Sequence, residues 1–522
     1  MNNFNEKARA FIAGRNFSSG VLVAIIIAVV VFVNIIAYTL TEYFELYVYV
    51  QEKDDLTIGA ASDDLFEDAR DKGYTVSVTF CMDEKELSQH ATGKFVYETA
   101  REFKKRYPDF IKLNYVNVYT QLYSGSEEYE SGTLFNANDY MTYVDPVSEK
   151  TYEYTLLGTS VIFEYKPADE HGAVKRNFCV LTDNYTTAGF ADFYTLDSSL
   201  TMTSYNGQEV FASMCAWVLS DHHETAYITT GHGESADPAR ATALQCAGYY
   251  VEALDLKRQS VPEDAGLVVI SNPKSDFEKS SNPNLTTEIR KLEAYRDRGG
   301  NFYITIDHIG KRMPVIESFV AGFGISAMKD SESGEKYIIK DTDNAITTDG
   351  FTLVCDHASG ELSETMYSRF EEYGGNVILR YTAALELVGE AKPLLVSSTS
   401  SECQVGGEVV NSDGSYAIAA YSTYSTDSGK ESKLFFIPSI YLTSTDAMVT
   451  DGYSNKNFLF SLFGELYGEG NMPYGCTSIT FNDTVLENLK MSTVRLYTAI
   501  LLIIPAAVAV TGAVVLIRRK NR

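Results

Sequence analysis

Between Gln208 and Ile306 the chain alternates short apolar runs with amphipathic ones, and this alternation restricts the fold more than any other feature of the sequence. The spacing predicts a helix over Glu209–Leu219, a strand over Ala226–Thr230, a helix near Ala239–Gly248 and a strand over Tyr250–Leu254. A buried strand over Leu267–Ile270 follows, then a helix over Thr287–Arg298 and a strand over Phe302–Ile306. Glu288 in the first turn of that last helix, Arg296 and Arg298 in its last, and the Gly299-Gly300 pair beyond it suit the helix dipole and a left-handed C-terminal cap. Strands that alternate with helices imply a parallel, doubly wound sheet of the amidotransferase or flavodoxin-like kind. Residues 330–430 read as an inserted set of antiparallel strands and loops. The sheet pattern then resumes with Lys433–Pro438 and a helix over Asn455–Tyr467.

Upstream, Thr75–Phe80 reads as a strand, Lys94–Tyr107 as a helix and Ile111–Val118 as a second strand, a β-α-β unit like the opening of a thioredoxin-like domain. Cys81 stands near where a redox motif would begin. Cys81-Met82-Asp83-Glu84 lacks the second cysteine, however, so a buried structural thiol is expected instead. Residues 120–200 carry short alternating strands rich in Tyr, Ser, Asp and Thr.

The two ends of the chain are of another kind. Gly20–Leu40 has no charged residue, and at ~1.5 Å per helical residue its length matches a bilayer core of ~30 Å. Leu496–Ile517 is a second apolar run, with Pro505 inside it and Arg518, Arg519, Lys520 and Arg522 after it. Lys7, Arg9 and Arg15 precede the first run, so the basic flanks put both tails in the cytoplasm. The expected architecture is a two-pass protein of the cell membrane, α/β in class, with two terminal transmembrane helices flanking an exported region. Its segments are a cytoplasmic tail (1–19), a span (20–40), a juxtamembrane stretch with the thioredoxin-like domain (41–200) and the doubly wound domain (201–470). A linker (471–495), a second span (496–517) and a cytoplasmic tail (518–522) complete it. Gly20, Ala24 and Ala28 form one small-residue stripe and Ala506, Ala509 and Ala513 another. With the polar Asn34, they are expected to pack against neighbouring helices.

Composition narrows the partners. With 43 Lys+Arg against 70 Asp+Glu the net charge is −27, which repels nucleic-acid phosphate. Nearly all the acidic excess lies between the two apolar runs. All seven cysteines lie there too, with no C-x-x-C and an odd count, so at least one cannot pair within the chain.

The candidate ligand-binding feature is the turn Gly231-His232-Gly233-Glu234, at the carboxyl end of a predicted parallel strand, where open α/β sheets place their ligands. The alternative is that its glycines serve a tight turn while His232 and Glu234 make local hydrogen bonds. Asp221, His222 and His223 precede the same strand. The strand holds His222 and His232 apart, so no metal site is assigned. His308 reads as a loop residue. The turns at His232-Gly233, Ser271-Asn272-Pro273 and Asp307-His308-Ile309-Gly310 lack glycines flanking a nucleophile, and no phosphate-binding loop is present. No catalytic residue and no cofactor is assigned.

Taken together, the chain resembles the Gldg family, membrane-anchored auxiliary components of ABC-type transport systems named for gliding motility. The resemblance rests on Asp55-Leu56-Thr57, Gly207-Gln208-Glu209, Ala226–Glu234, Pro273, Arg298-Gly299-Gly300, and a last apolar run with Pro505 and Gly512 followed by arginines. It implies a non-enzymatic accessory subunit partnered by an ABC permease and ATPase in the lipid bilayer. Its exported domains would bind or gate a substrate or an envelope polysaccharide or peptide of a bacterial cell envelope. The alternative is an exported amidotransferase-like or metal-assisted hydrolase of cell-wall material, expected to show no turnover if the first reading holds.

Overall fold

The computed structural model describes residues 56–480 apart from 57, 59–60, 148, 168–171, 182–192, 197–201, 235–237, 283, 308–311, 413, 427–428, 445–446, 449–451, 468–471 and 477, together with 512, 518 and 519. Residues 56–483 belong to one compact unit.

Helix α1 (Ala61–Asp71) leads into a five-stranded sheet of β1 (Val76–Phe80), β2 (Ile111–Asn117), β3 (Leu122–Ser126), β4 (Ser160–Tyr165) and β5 (Lys175–Val180), in the order β3-β2-β1-β4-β5. β1 and β2 run parallel, whereas β4 is antiparallel to β1 and β5 to β4. The β1–β2 crossover contains α2 (Gly93–Arg106). Val96, Ala100 and Phe103 recur on one buried face of this helix, and Lys104, Lys105 and Arg106 place positive charge at its carboxyl end.

Helix α3 (Gly207–Leu219) lies between this sheet and the next. Most of its residues are buried, because apolar positions run right round it rather than along one stripe. Phe211 stacks on Phe103 with ring centroids 4.5 Å apart and meets the edge of Phe163 at 5.2 Å. Cys215, Trp217 and Val218 belong to the same continuous core, which extends into the second sheet.

That second sheet has eleven strands: β6 (Thr225–Thr230), β7 (Tyr250–Asp255), β8 (Ala265–Ser271), β9 (Asn301–Thr305), β10 (Ile325–Ala327), β11 (Thr352–His357), β12 (Val377–Arg380), β13 (Leu385–Leu387), β14 (Lys392–Val396), β15 (Ala417–Ser425) and β16 (Glu431–Ile437). Its order is β7-β6-β8-β9-β16-β15-β14-β11-β12, with β10 paired to β13 and β13 to β15. The first five strands in that order are parallel and the rest antiparallel. Alternation of side chains across the pleat divides the parallel strands between two cores. Leu267, Val269, Tyr303 and Phe435 point to the side of α3, α4 (Pro238–Cys246) and α7 (Asn455–Tyr467). Val268, Ile270, Phe302 and Ile304 point to the side of α5 (Glu288–Asp297) and α6 (Pro314–Ala321). Burying each such side chain stabilises the fold by ~1.5–3 kcal/mol.

Two expectations are corrected here. The larger sheet is mixed, not a doubly wound parallel sheet carrying an insertion. Residues 330–430 supply five of its antiparallel strands, because β15 turns directly back onto β16 and carries β13, β14, β11 and β12 into the same sheet. The two-pass membrane architecture, and with it the cell-membrane location, cytoplasmic tails and exported domain, is also set aside. No helix among the described residues is long and apolar enough to cross a membrane. Helices of 13 and 14 residues such as α3 and α2 fall short of the ~20 apolar residues a span needs. Apart from Gly512, the segments 20–40 and 496–517, with Gly20, Ala24, Ala28, Asn34, Ala506, Ala509 and Ala513, lie outside the described residues.

A buried carboxylate fixes one edge of the antiparallel region. Asp341 is 2% exposed and accepts hydrogen bonds from the backbone N–H groups of Asp343 (3.0 Å) and Asn344 (2.9 Å). It also accepts from the hydroxyls of Ser398, Ser400 (3.2 Å) and Ser401 (3.1 Å). Burial alone would raise its pKa, but these donors outweigh burial and hold the carboxyl below its ordinary value. A carboxyl depressed in the fold stabilises it above the unfolded pKa of ~3.9 and loses that contribution as pH falls through the folded value. The urea midpoint of Asp341→Asn should therefore lie well below wild type at pH 7, and the gap should close below about pH 4. A gap that stays constant from pH 7 to pH 3 would show that the ionised form is not what the five donors hold.

Candidate functional site

Order β7-β6-β8-β9-β16 means that the chain leaves β6 toward one edge to form β7 and then returns past β6 to form β8. The connections diverge between β6 and β8, and the crevice outside the carboxyl ends of those strands is where such sheets hold ligands. Both predicted turns, Gly231-His232-Gly233-Glu234 after β6 and Ser271-Asn272-Pro273 after β8, open there.

The first turn is tight because Gly231 and Gly233 have φ of 103° and 75°, which a side chain would resist. Its backbone folds back so that the His232 N–H donates to Glu234 Oε2 at 2.8 Å. His232 is 4% exposed and stacks on Phe277 with centroids 4.2 Å apart. Its Nε2 lies 2.9 Å from Oε1 of Glu288, itself 2% exposed in the first turn of α5, and Glu288 Oε2 accepts the Glu278 N–H at 2.8 Å. A carboxylate oxygen accepts, so the tautomer that fits these contacts has Nε2–H donating to Glu288 and Nδ1 as the acceptor. The exposed Ser275 hydroxyl sits 3.3 Å from that nitrogen, and 3.4 Å from the His232 carbonyl oxygen as a second acceptor.

The loop bearing Ser275 is pinned along its length. Backbone N–H groups of Lys274 and Ser275 donate to the His232 carbonyl at 2.8 and 3.1 Å. One residue on, the Asp276 carboxylate accepts the N–H groups of Val315 (2.8 Å) and Ile316 (3.1 Å) in the first turn of α6. Before it, Asn272 takes φ of 47°, an uncommon conformation for a residue with a side chain, and its N–H donates to the Thr305 carbonyl at 2.8 Å. Asn272 Oδ1 accepts from the Asp307 N–H at 3.2 Å, while its Nδ2 is buried with no hydrogen-bond partner. Glu234 Oε1 in the turn after β6 is likewise buried and unpaired, as are Thr229 Oγ1 near the end of β6 and, on the opposite face of the sheet, Thr305 Oγ1 at the end of β9. Buried Arg240 in α4 donates from Nη1 to Ser271 Oγ. Each unpaired group forgoes a hydrogen bond that water or a ligand could supply, at ~1–3 kcal/mol apiece.

Of the residues singled out by sequence, Gly231, His232, Gly233 and Glu234 are thus brought to the crevice, with His232 turned inward rather than toward solvent. The histidines before β6 are not brought there. His223 is buried against Trp217 at a centroid distance of 3.7 Å and bonds Asp145 Oδ2 and the Trp217 carbonyl, while His222 pairs with Glu224 at 3.3 Å. Asp221 bonds Lys175. The length of β6 separates them from His232, and among the described residues no group of three or more His, Cys, Asp or Glu could hold a metal ion. All seven cysteines are buried, and burial pushes the Cys81 thiol up to about 12, far from a thiolate at neutral pH. His308 lies outside the described residues. A cavity of about 240 Å³ lined by Leu65, Trp217, Cys246 and Tyr467 opens at the amino ends of the strands, away from this crevice.

Ser275 and Glu288 have no forerunner in the sequence reading of the site. Glu288 carries a signal as a first-turn helix acid, which it is, but nothing local says that its carboxylate reaches back to His232.

No family model and no curated protein matches the chain. Solved structures similar to part of it include the N-terminal domain of mmIFT52 (TM-score 0.35, 13% identity, 47% of this chain and 99% of that one). Others are a ThuA-like protein from Bacteroides uniformis (0.30, 10%, 48% and 92%) and PurLQS from Thermotoga maritima (0.27, 12%, 47% and 99%). Likenesses at these scores support no statement about function.

Proposed function

We propose that this protein is an accessory subunit of an ABC-type transport system, one that binds or gates a substrate at the crevice between β6 and β8. The observation that carries the binding role is the pair of buried, unpaired polar atoms on the two turns that open there, Asn272 Nδ2 and Glu234 Oε1. Native folds satisfy nearly all such groups, and an unpaired one on each of the two turns at the divergence of the crossovers fits a place kept for a ligand. The transport role is supported by the sequence resemblance through Gly207-Gln208-Glu209 and Ala226–Glu234. The chain has no phosphate-binding loop, so ATP hydrolysis would fall to a partner chain.

Chemical crosslinking in cells that make the protein natively, followed by capture through an affinity tag, should recover an ABC-type ATPase and a permease by mass spectrometry. Capture that returns neither, from cells in which both subunits are detected in the lysate, removes the transport role.

A further inference from the structure

We infer that Ser275, His232 and Glu288 form an acyl-transfer relay in which Ser275 is the nucleophile toward an ester or amide carbonyl. The inference departs from the expectation of a non-enzymatic subunit, goes beyond the transport role, and stands or falls without that role. It rests on a chain of contacts that runs from solvent to the interior: an exposed hydroxyl at 3.3 Å from Nδ1, and a buried carboxylate at 2.9 Å from Nε2. Nucleophile, base and orienting carboxylate in that order make up the arrangement that activates a serine. The base is turned over relative to the commonest form of that arrangement, with Nδ1 rather than Nε2 facing the hydroxyl, which the chemistry permits because either imidazole nitrogen can take the proton.

Three further observations belong to the same loop. Glu288 is held by the Glu278 N–H, and His232 is stacked on Phe277 with its Nδ1 on the side of Ser275. Asp276 ties the residue after Ser275 to the first turn of α6. Asn272, three residues before, holds a left-handed backbone conformation and a buried amide nitrogen with no partner, which is a donor in reserve for negative charge developing on a carbonyl oxygen. A serine that served only as a turn residue would need neither the buried histidine nor its carboxylate.

In the first step Ser275 Oγ bonds to the carbonyl carbon as its proton passes to His232 Nδ1, and the carbonyl π pair moves onto oxygen. Collapse of that tetrahedral species breaks the bond to the leaving alcohol or amine, which takes the proton from Nδ1. Water then adds to the acyl-serine, giving its proton to Nδ1. Release of the carboxylic acid returns that proton to Ser275 Oγ, so hydrolysis consumes one water and needs no other reactant. Ser275 and His232 touch the reacting atoms. Glu288 is a positioning residue that keeps the proton on Nε2 and stabilises the imidazolium formed at each step.

The test is covalent labelling of the full-length chain with a fluorophosphonate, a reagent that phosphonylates activated serines, read by intact mass and peptide mapping. The expected result is one adduct at Ser275. Ser275→Ala, a change at an exposed position, should keep the wild-type thermal midpoint and carry no label. His232→Gln should slow labelling about 100-fold or more. Glu288→Gln keeps an acceptor for Nε2 but removes the charge. It should slow labelling at least about tenfold with the fold intact, while Glu288→Asp restores part of the rate. The inference is overturned by folded wild-type protein that acquires no adduct at Ser275, or by labelling that runs at the wild-type rate in Glu288→Gln. Loss or retention of an ABC partner in the capture experiment has no bearing on either outcome.

Discussion

Lys456→Met should lower the stability of the fold by about 3–5 kcal/mol, a change of roughly a hundred- to several-thousand-fold in the folding equilibrium. Lys456 in the first turn of α7 is 9% exposed and Glu209 in the first turn of α3 is 2% exposed. The Lys456 ammonium donates to Glu209 Oε2 at 2.5 Å and to Ser478 Oγ at 2.5 Å, and Ser478 in turn donates to Asn206 Oδ1 at 2.7 Å. Removing the cation leaves a carboxylate in the core with no counter-charge, which costs far more than the pair itself contributes. The apolar stem of methionine fills most of the lysine's space, so the loss reports charge rather than a cavity. The double variant Glu209→Gln/Lys456→Met should recover most of the stability, since it leaves no buried charge. Urea unfolding of the three variants decides the matter. A loss of no more than about 1 kcal/mol in the single variant would mean that water reaches the pair and screens it.

Gly324→Ala should cost about 3 kcal/mol, combining ~1–2 kcal/mol for a side chain in the left-handed region with ~1–3 kcal/mol for overpacking. Gly324 has φ of 82° at the entry to β10, and a Cβ there would sit 2.2 Å from the Val388 carbonyl oxygen. The obstacle is backbone and cannot swing aside. Moving it would disturb the 2.9 Å hydrogen bond from the Val388 N–H to the Gly324 carbonyl, and with it the pairing of β10 and β13. Gly389 nearby is the control, because it shares a positive φ of 65° but has nothing within 4 Å of its added Cβ. Gly389→Ala should lose only ~1 kcal/mol. Equal losses at the two positions, measured by thermal denaturation, would show that conformation rather than the close approach to Val388 sets the cost.

The parallel strands were legible because strands buried on both faces read as unbroken apolar runs. Leu267–Ile270 lies within β8, and the helix expected at Asn455–Tyr467 has the same bounds in the structure. The antiparallel half was not legible as part of the same sheet. β11 meets β14 through only Asp356 opposite Val396 and His357 opposite Leu395, and β14 is bulged where it pairs with β15, so no simple alternation marks their common membership. The glycine turn could be read because positive φ is a local demand. Its partners could not, since Ser275 and Glu288 lie 43 and 56 residues from His232 and meet it only after two strands and a crossover are in place. Burial was the other hidden quantity: an inward His232 and a solvent-facing one have the same sequence.

Helix α3 has consequences for the order in which the chain can finish folding. It covers β4 and β5, yet the ion pair that secures its first turn comes from Lys456, 247 residues further on. At ~5–20 residues per second of synthesis, that is on the order of ten to fifty seconds after Glu209 has been added to the chain. During that interval the smaller sheet has all its strands, but its covering helix carries a carboxylate not yet matched by a cation. The amino-terminal half of the protein is thus a partial product until nearly the last strand and helix of the larger sheet have emerged.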